Sequence, residues 1–205
     1  MNRPESAVPR PTDVYFFATC VVDQFFPGAG MDAITLLEHQ GIRVHFPEEQ
    51  TCCGQPAYTS GFPDEARKVA AHQLTLFPEN WPVVVPSGSC AGMMKHHYPT
   101  LFAADPARKA QAEALSVRIY ELTDFLVNVL DFQPQDTGSD CTVVLHTSCS
   151  ARREMGVHLT GRKLLGGLKG VKVAQQDHES ECCGFGGTFS VKQPEISGAM
   201  VEDKV

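Results

Sequence analysis

The sequence predicts an α/β fold built from two repeated, Rossmann-like halves with mainly parallel sheets, and three observations carry that expectation. Short apolar runs rich in β-branched and aromatic residues alternate with helical patterns, as strands and crossover helices do. Three of the runs deliver a cysteine from a small hydroxyl-rich turn, at Cys20, Cys90 and Cys149. The cysteines also repeat: Cys20 and Cys149 lie 129 residues apart, while Cys52 and Cys182, and Cys53 and Cys183, lie 130 apart.

In chain order, "DVYFFATC" (13–20) reads as a buried strand ending at Cys20. "MDAITLLEHQG" is a helix closed by glycine, and "TCCG" puts two thiols on a tight glycine turn. "DEARKVAAHQLTLF" is a helix with an acidic first turn, which suits the helix dipole. "WPVVVPSGSC" is a second buried strand, delivering Cys90, and "ARKAQAEALSVRIYELTDFLVNVL" is helical in one or two pieces. "DFQPQDTGSD" lacks an apolar period and reads as a linker over 131–140, between a first unit at 1–130 and a second at 141–205. In the second unit "TVVLHTSC" repeats the strand and cysteine, "ARREMGVHLTGRKLL" the helix, and "ECCGFGG" the thiol pair. In an open α/β sheet ligands gather outside the carboxyl ends of the strands, so each half is expected to place its cysteines at such a crevice.

With 205 residues, 42% of them hydrophobic, the chain can bury a substantial core. A net charge of −7 argues against nucleic acid or an anionic membrane as the main partner. The N-terminus "MNRPESAVPRP" has no apolar run behind it, and no stretch is apolar enough to span a membrane, so a cytoplasmic location is expected. Eight cysteines in such a compartment point to metal or redox chemistry rather than a disulfide framework. Soft thiolates select zinc, copper(I) or iron–sulfur clusters. The first half offers Cys20, Cys52, Cys53 and Cys90; the second offers Cys149, Cys182 and Cys183. Zinc folds usually space their pairs Cys-x₂₋₄-Cys, and no Cys-x-x-Cys occurs here; in "CAGM" Met93 stands where one would be completed. Adjacent cysteines suit a cluster, whose several irons can each take one.

The pattern Cys-x₃₁-Cys-Cys-Gly-x₃₅-Cys, its second copy Cys-x₃₂-Cys-Cys-Gly, and the words "TCCGQPAY", "PSGSCAGMMKHHYP" and "ECCGFGGTFSVK" resemble the cysteine-rich CCG-domain family. That family includes the B subunit of heterodisulfide reductase and the iron–sulfur subunits of glycolate oxidase and anaerobic glycerol-3-phosphate dehydrogenase. Within it the likeness is fullest to the lactate utilisation A proteins, from about Asp13 to Val205. The resemblance implies an iron–sulfur, electron-transfer subunit of a cytosolic complex that oxidises L-lactate to pyruvate beside lactate utilisation proteins B and C. It also implies metal ligation by the seven cysteines just named. Met93 replaces a cysteine of the heterodisulfide reductase relatives, so an ordinary four-iron cluster on four thiolates is the expectation. The alternative is a zinc-stabilised or thiol-redox binding protein that passes no electrons.

Other residues carry weaker expectations. "GAGMDA" has the glycines of a dinucleotide fingerprint, but they lie some eight residues past the strand end, too far for its tight turn. His146 and His178 neighbour second-half cysteines and are read as outer-sphere or core residues. Arg152 and Arg153 either offset the charge of a thiolate-bound cluster or form an ordinary exposed helix face. His96 and His97 are read as solvated surface or a partner contact, and Cys141 as a buried structural thiol. No Ser-His-Asp set, phosphate loop or carboxylate pair suggests independent catalysis. Adding the repeat offset to Cys90 places its counterpart near position 220, so the second unit is expected to be truncated, with an incomplete thiol set.

Overall fold

A computed structural model describes residues 10–135 and 140–204. The N-terminal residues 1–9, where no leader was read, and 136–139 of the expected linker lie outside the described residues. Strands β1 (Asp13–Phe16), β2 (Arg43–His45), β3 (Val83–Val85) and β4 (Ile119–Glu121) form one sheet in the order β2-β1-β3-β4, every pair parallel. The central strands are apolar over 14–16 and 83–85 because both sheet faces are covered there: Val14, Phe16 and all of Val83–Val85 are 0% exposed. Alternate residues face opposite ways and make two cores. Tyr15, Phe17, Val83 and Val85 pack with Met93, Met94 and Tyr98 on one side, while Val14, Phe16 and Val84 pack with Leu37, Phe125 and Leu126 on the other.

Helices α1 (Cys20–Phe25) and α2 (Pro27–His39) connect β1 to β2. In α2, Gly30, Ala33 and Leu37 are spaced to share one face, and that face is buried. Gly28 and Gly30 therefore sit inside a helix rather than in a phosphate-binding turn. Helices α3 (Gln55–Thr59) and α4 (Pro63–Gln73) connect β2 to β3, with Ala66, Ala70 and Gln73 forming α4's buried stripe. After β3 comes α5 (Gly88–Gly92), then a π-helical turn over Met93–His97, α6 (Tyr98–Leu101) and α7 (Pro106–Ser116).

The helix expected over 107–130 is interrupted by β4. Arg118 holds that strand's entry by donating to the carbonyls of Phe77 (2.6 Å) and Trp81 (2.9 Å), and Ile119 is fully buried against β3. Tertiary pairing overrides the helical period there. Helix α8 (Leu122–Asp124) then runs into a second π-helical turn, Phe125–Val129.

The second half has β5 (Cys141–Val144) paired in parallel with β6 (Val171–Ala174), and helices α9 (Cys149–Arg153), α10 (Val157–Gly166), α11 (Thr188–Lys192) and α12 (Pro194–Lys204). The single helix expected over 151–165 is split at Gly156, whose φ of 65° breaks the α conformation. Element by element, β5-α9-α10-β6-α11-α12 repeats β1-α1-α2-β2-α3-α4. Register repeats too: Asp13 pairs with Arg43, and 128 residues further on Cys141 pairs with Val171. Cys141 is exposed, which corrects the buried thiol expected of it. Among the described residues β5 pairs only with β6, and most of the strand is exposed along with Cys141. No helix among the described residues is long and apolar enough to cross a membrane.

Candidate metal centre

The chain leaves β1 toward β2 on one side of the sheet and returns to β3 on the other, so the strand order reverses between β1 and β3. A crevice outside the carboxyl ends of the strands follows at that point. Cys20 opens α1 straight after β1, Cys90 lies in α5 just after β3, and Cys52 and Cys53 lie in the loop after β2. Three connections thus bring four thiols to one end of the sheet.

Each turn is held by particular contacts. Thr19 adopts φ 53°, a conformation non-glycine residues seldom hold, and its hydroxyl accepts from the Val22 N–H at 3.4 Å to start α1. Gln50 accepts from the Ala18 N–H (2.9 Å) and donates to the Phe16 carbonyl (3.3 Å), tying the end of β1 to the approach to Cys52. Gln73, fully buried at the end of α4, donates to the Thr51 hydroxyl (2.7 Å). The buried Tyr98 hydroxyl donates to the Cys53 carbonyl (2.9 Å). Gly54 closes the turn at φ 84°, with the Ala66 carbonyl 3.3 Å from where a Cβ would stand.

The four thiols influence one another in a series, Cys20 with Cys52, Cys52 with Cys53 and Cys53 with Cys90. Cys52 is drawn down to about 6 by the hydrogen bond from Cys53, helped by the Gly54 N–H at 3.4 Å and by Cys20, against the opposing effect of burial. Burial and the neighbouring Cys52 push Cys20 up to about 11. Cys53 is pushed well up by its bonds to Cys52 and Cys90 and by burial. Cys90 is lowered by Cys53 and by the Ser87 and Ser89 hydroxyls. Cys53 and Cys90 are buried, whereas Cys20 and Cys52 line a cleft of about 470 Å³ whose wall includes Asp23, Phe46 and Glu48. Among the described residues, no three His, Cys, Asp or Glu side chains converge tightly enough to hold one metal ion. The donor set is sulfur-only and spread in a series, which suits a soft metal or a cluster.

In the second half Cys149 opens α9, capped by the Ser148 hydroxyl, which accepts from the Ala151 N–H at 3.4 Å. Cys149 and Cys182 are exposed and Cys183 is half-buried. Gly184 repeats Gly54, at φ 77°, with the Ser197 carbonyl only 2.6 Å from a Cβ position. Lys204 repeats Gln73 at the end of α12. Lys204 is 4% exposed, and its ammonium donates to the carbonyls of His178 (2.6 Å), Glu179 (3.2 Å) and Glu181 (2.9 Å), the segment leading into Cys182. Gln73, Tyr98 and Lys204 escaped the sequence reading because their partners are backbone or hydroxyl groups, which leave no pattern in the sequence.

The outer-sphere candidates are placed as follows. His146 and Arg153 are exposed. The exposed His178 ring meets Glu181 at 2.9 Å, which raises its pKa. Arg152 pairs with Glu179 (3.0 Å), which Arg162 also holds (2.7 Å); burial would raise the Glu179 carboxyl, and the two guanidinium groups outweigh it. His96 is exposed, and the half-buried His97 lies 3.5 Å from Glu154 and against the Tyr58 ring. Met93 is fully buried in the core.

The helices bearing Cys90 and Cys149 pack together. Gly88 meets Ala151 so closely that it has no room for a Cβ, and the Glu154 carboxylate reaches over Gly92. Ser60 and Thr188, just beyond the two Cys-Cys-Gly turns, bond at 2.6 Å.

The model of the cysteine-rich domain named CCG matches residues 14–95 and 143–205, both segments ending or beginning within the repeats described above. The chain belongs to the CCG family of cysteine-rich domains. It is 47% identical over 195 residues to lactate utilization protein A 1 of Bacillus mycoides (strain KBAB4), covering 94% of this chain and 78% of that protein. It is 46% identical over 195 residues to lactate utilization protein A of Shouchella clausii (strain KSM-K16), and 44% over 192 residues to that of Bacillus subtilis (strain 168), covering 94% of this chain and 80% of each relative.

Proposed function

We propose that this CCG-family chain is an iron–sulfur electron-transfer subunit of a cytoplasmic complex that oxidises L-lactate to pyruvate, working beside lactate utilisation proteins B and C. The single observation that carries the reading is the series of four thiols across three strand ends, Cys20, Cys52, Cys53 and Cys90. A tetrahedral zinc ion needs its donors to converge on one point; a cluster presents separate irons to separate sulfurs. The names of the relatives, all lactate utilization proteins, support the metabolic setting.

The residues of this chain divide the work. Cys52 and Cys90 are already drawn toward thiolate, and Cys20 and Cys53 release their protons when metal binds. When bound, an iron–sulfur cluster supplies reversible one-electron storage. The Gly54 N–H bonds to the Cys52 sulfur, and the Ser87 and Ser89 hydroxyls favour negative charge on Cys90. Tyr98 and Gln73 hold the loop against the sheet, and the buried positions of Cys53 and Cys90 keep water from one side of the centre. Cys149, Cys182 and Cys183 are proposed as ligands of a second centre in a unit at 141–205, joined by the linker 131–140 to the unit at 1–130; the repeated element order and register support that division.

A thiol-redox reading has one observation in its favour, a cleft-lining Cys52 of lowered pKa beside other thiols. Lactate-dependent dye reduction by reconstituted mixtures tests the main reading. The chain alone is expected to reduce no dye, since an electron-transfer subunit takes single electrons and relies on a partner to take the hydride, and adding the two partner proteins is expected to restore reduction. Robust activity of the chain alone would overturn it.

A further inference from the structure

Beside the thiol cleft the surface is unusually apolar. Helix α1 buries none of its residues. Val21, Phe25, Phe26, Met31 and Phe46 are 45%, 71%, 62%, 61% and 45% exposed, and they gather around α1, the start of α2 and the turn after β2. A shallow apolar hollow of about 320 Å³, lined by Val22, Pro27, Met31, Ile34 and Phe46, adjoins the cleft that holds Cys20 and Cys52. Phe46 and Asp23 belong to both walls, so the apolar face runs to the mouth of the metal centre. A contiguous apolar patch of this kind marks an interaction site.

Its charge says what covers it. Asp23 and Glu48 line the cleft and Asp32 and Glu49 adjoin Met31 and Glu48 in the chain; all four are exposed, and none forms an ion pair with the described residues. No lysine or arginine occurs between 11 and 42 or between 44 and 66, and Arg43 is engaged by Asp13 at 3.2 Å. A second copy of the same face would bring like charges together.

We propose that this acidic-rimmed apolar face is the docking surface for a one-electron carrier protein whose own redox centre lies at an apolar edge ringed by lysine and arginine. The inference rests on the electron-transfer reading above and names the partner surface of that same site. In the step itself one electron leaves the reduced centre and reduces the oxidised centre of the carrier; no bond forms or breaks. The apolar contact supplies a short, dry path, and the charges steer the encounter.

The probe is ferricytochrome c, a small carrier with a lysine-ringed haem edge, titrated calorimetrically against the purified protein. Binding is expected at low ionic strength, weakening about tenfold or more in high salt and in the Asp23→Lys/Glu48→Lys variant. Phe25→Ser/Phe26→Ser, at exposed positions that leave the core intact, is expected to weaken it too. Glu113→Lys, on α7 beside the far edge of the sheet, is expected to change it little. Binding indifferent to both double variants overturns the proposal. So does a dimer in sedimentation that Phe25→Ser/Phe26→Ser dissociates, which would assign the face to a second copy. Salt-dependent binding by protein that purifies without iron would sink the electron-transfer reading and leave the face standing; iron without binding would sink the face alone.

Discussion

Cys52 and Cys53 are neighbours in sequence and opposites in setting, one lining a cleft and lowered to about 6, the other 1% exposed and pushed well up. Gly54, at φ 84°, lets the chain turn directly after the pair, with Cys52 lining the cleft and Cys53 buried in the core. The residue types and spacing were legible because paired thiols repeated at a fixed offset have few bland explanations. The residues that hold them were not: Gln73, Tyr98 and Lys204 look ordinary until the loops they grip are known. Cys141 shows the reverse error, since a thiol opening a strand was expected to be buried and is exposed. At this scale a pH prediction follows from Asp13, which anchors β1 beside β2. Hydrogen bonds from His45 (2.8 Å) and Thr12 (2.8 Å), with Arg43 nearby, hold its carboxyl below the ordinary value of 3.8 against the opposing effect of burial. A depressed folded-state pKa means that Asp13 stabilises the fold above about pH 4 and that this contribution is lost as pH falls through the lowered value. Asp13→Asn is therefore expected to flatten the acid limb of a stability–pH curve measured by urea denaturation, leaving its slope above pH 6 unchanged. A steeper acid limb in the variant would refute this.

Strands β1 and β3 and most helices were readable because each is long enough or apolar enough to show a period. Three of the strands, β2 (RVH), β4 (IYE) and β6 (VKVA), were not, because each mixes charged with apolar residues over three or four positions and its neighbours on the sheet supply the pairing. The two Cys-Cys-Gly turns allow a graded test of how elements pack onto the site. Gly41, Gly54 and Gly184 share φ values of 75°, 84° and 77°, so alanine strains the backbone at each. They differ in space: nothing lies within 4 Å at Gly41, the Ala66 carbonyl of α4 is at 3.3 Å from Gly54, and the Ser197 carbonyl of α12 is at 2.6 Å from Gly184. Gly41→Ala is expected to cost about 1 kcal/mol and Gly54→Ala about 1–3 kcal/mol. Gly184→Ala should exceed both, because α12 must move. Equal losses in chemical denaturation would show that α4 and α12 do not press on the turns as described.

Over the whole molecule the repeat is more than a recurrence of cysteines. Element order, strand register, the left-handed glycine and a polar side chain reaching back from the following helix all recur, and the helices carrying Cys90 and Cys149 meet through Gly88 and Ala151 without space between them. The spacing of the cysteines foretold the repeat; the contact between halves had no signature in the sequence, since glycine and alanine are as common in turns and on surfaces as at close helix crossings. Close contact of the two helices places the proposed centres on either side of one interface, an arrangement suited to passing electrons through the molecule and of no evident use to a zinc staple. The central claim is that the first-half thiols hold an iron–sulfur cluster. Iron and acid-labile sulfide, measured together with the electron paramagnetic resonance spectrum of anaerobically purified and dithionite-reduced protein, test it most directly. The account predicts iron and sulfide in matching amounts with a reducible signal, loss of that signal in Cys52→Ser, and its retention in Cys141→Ser. Colourless protein with stoichiometric zinc, or equal loss of iron in both variants, would contradict it.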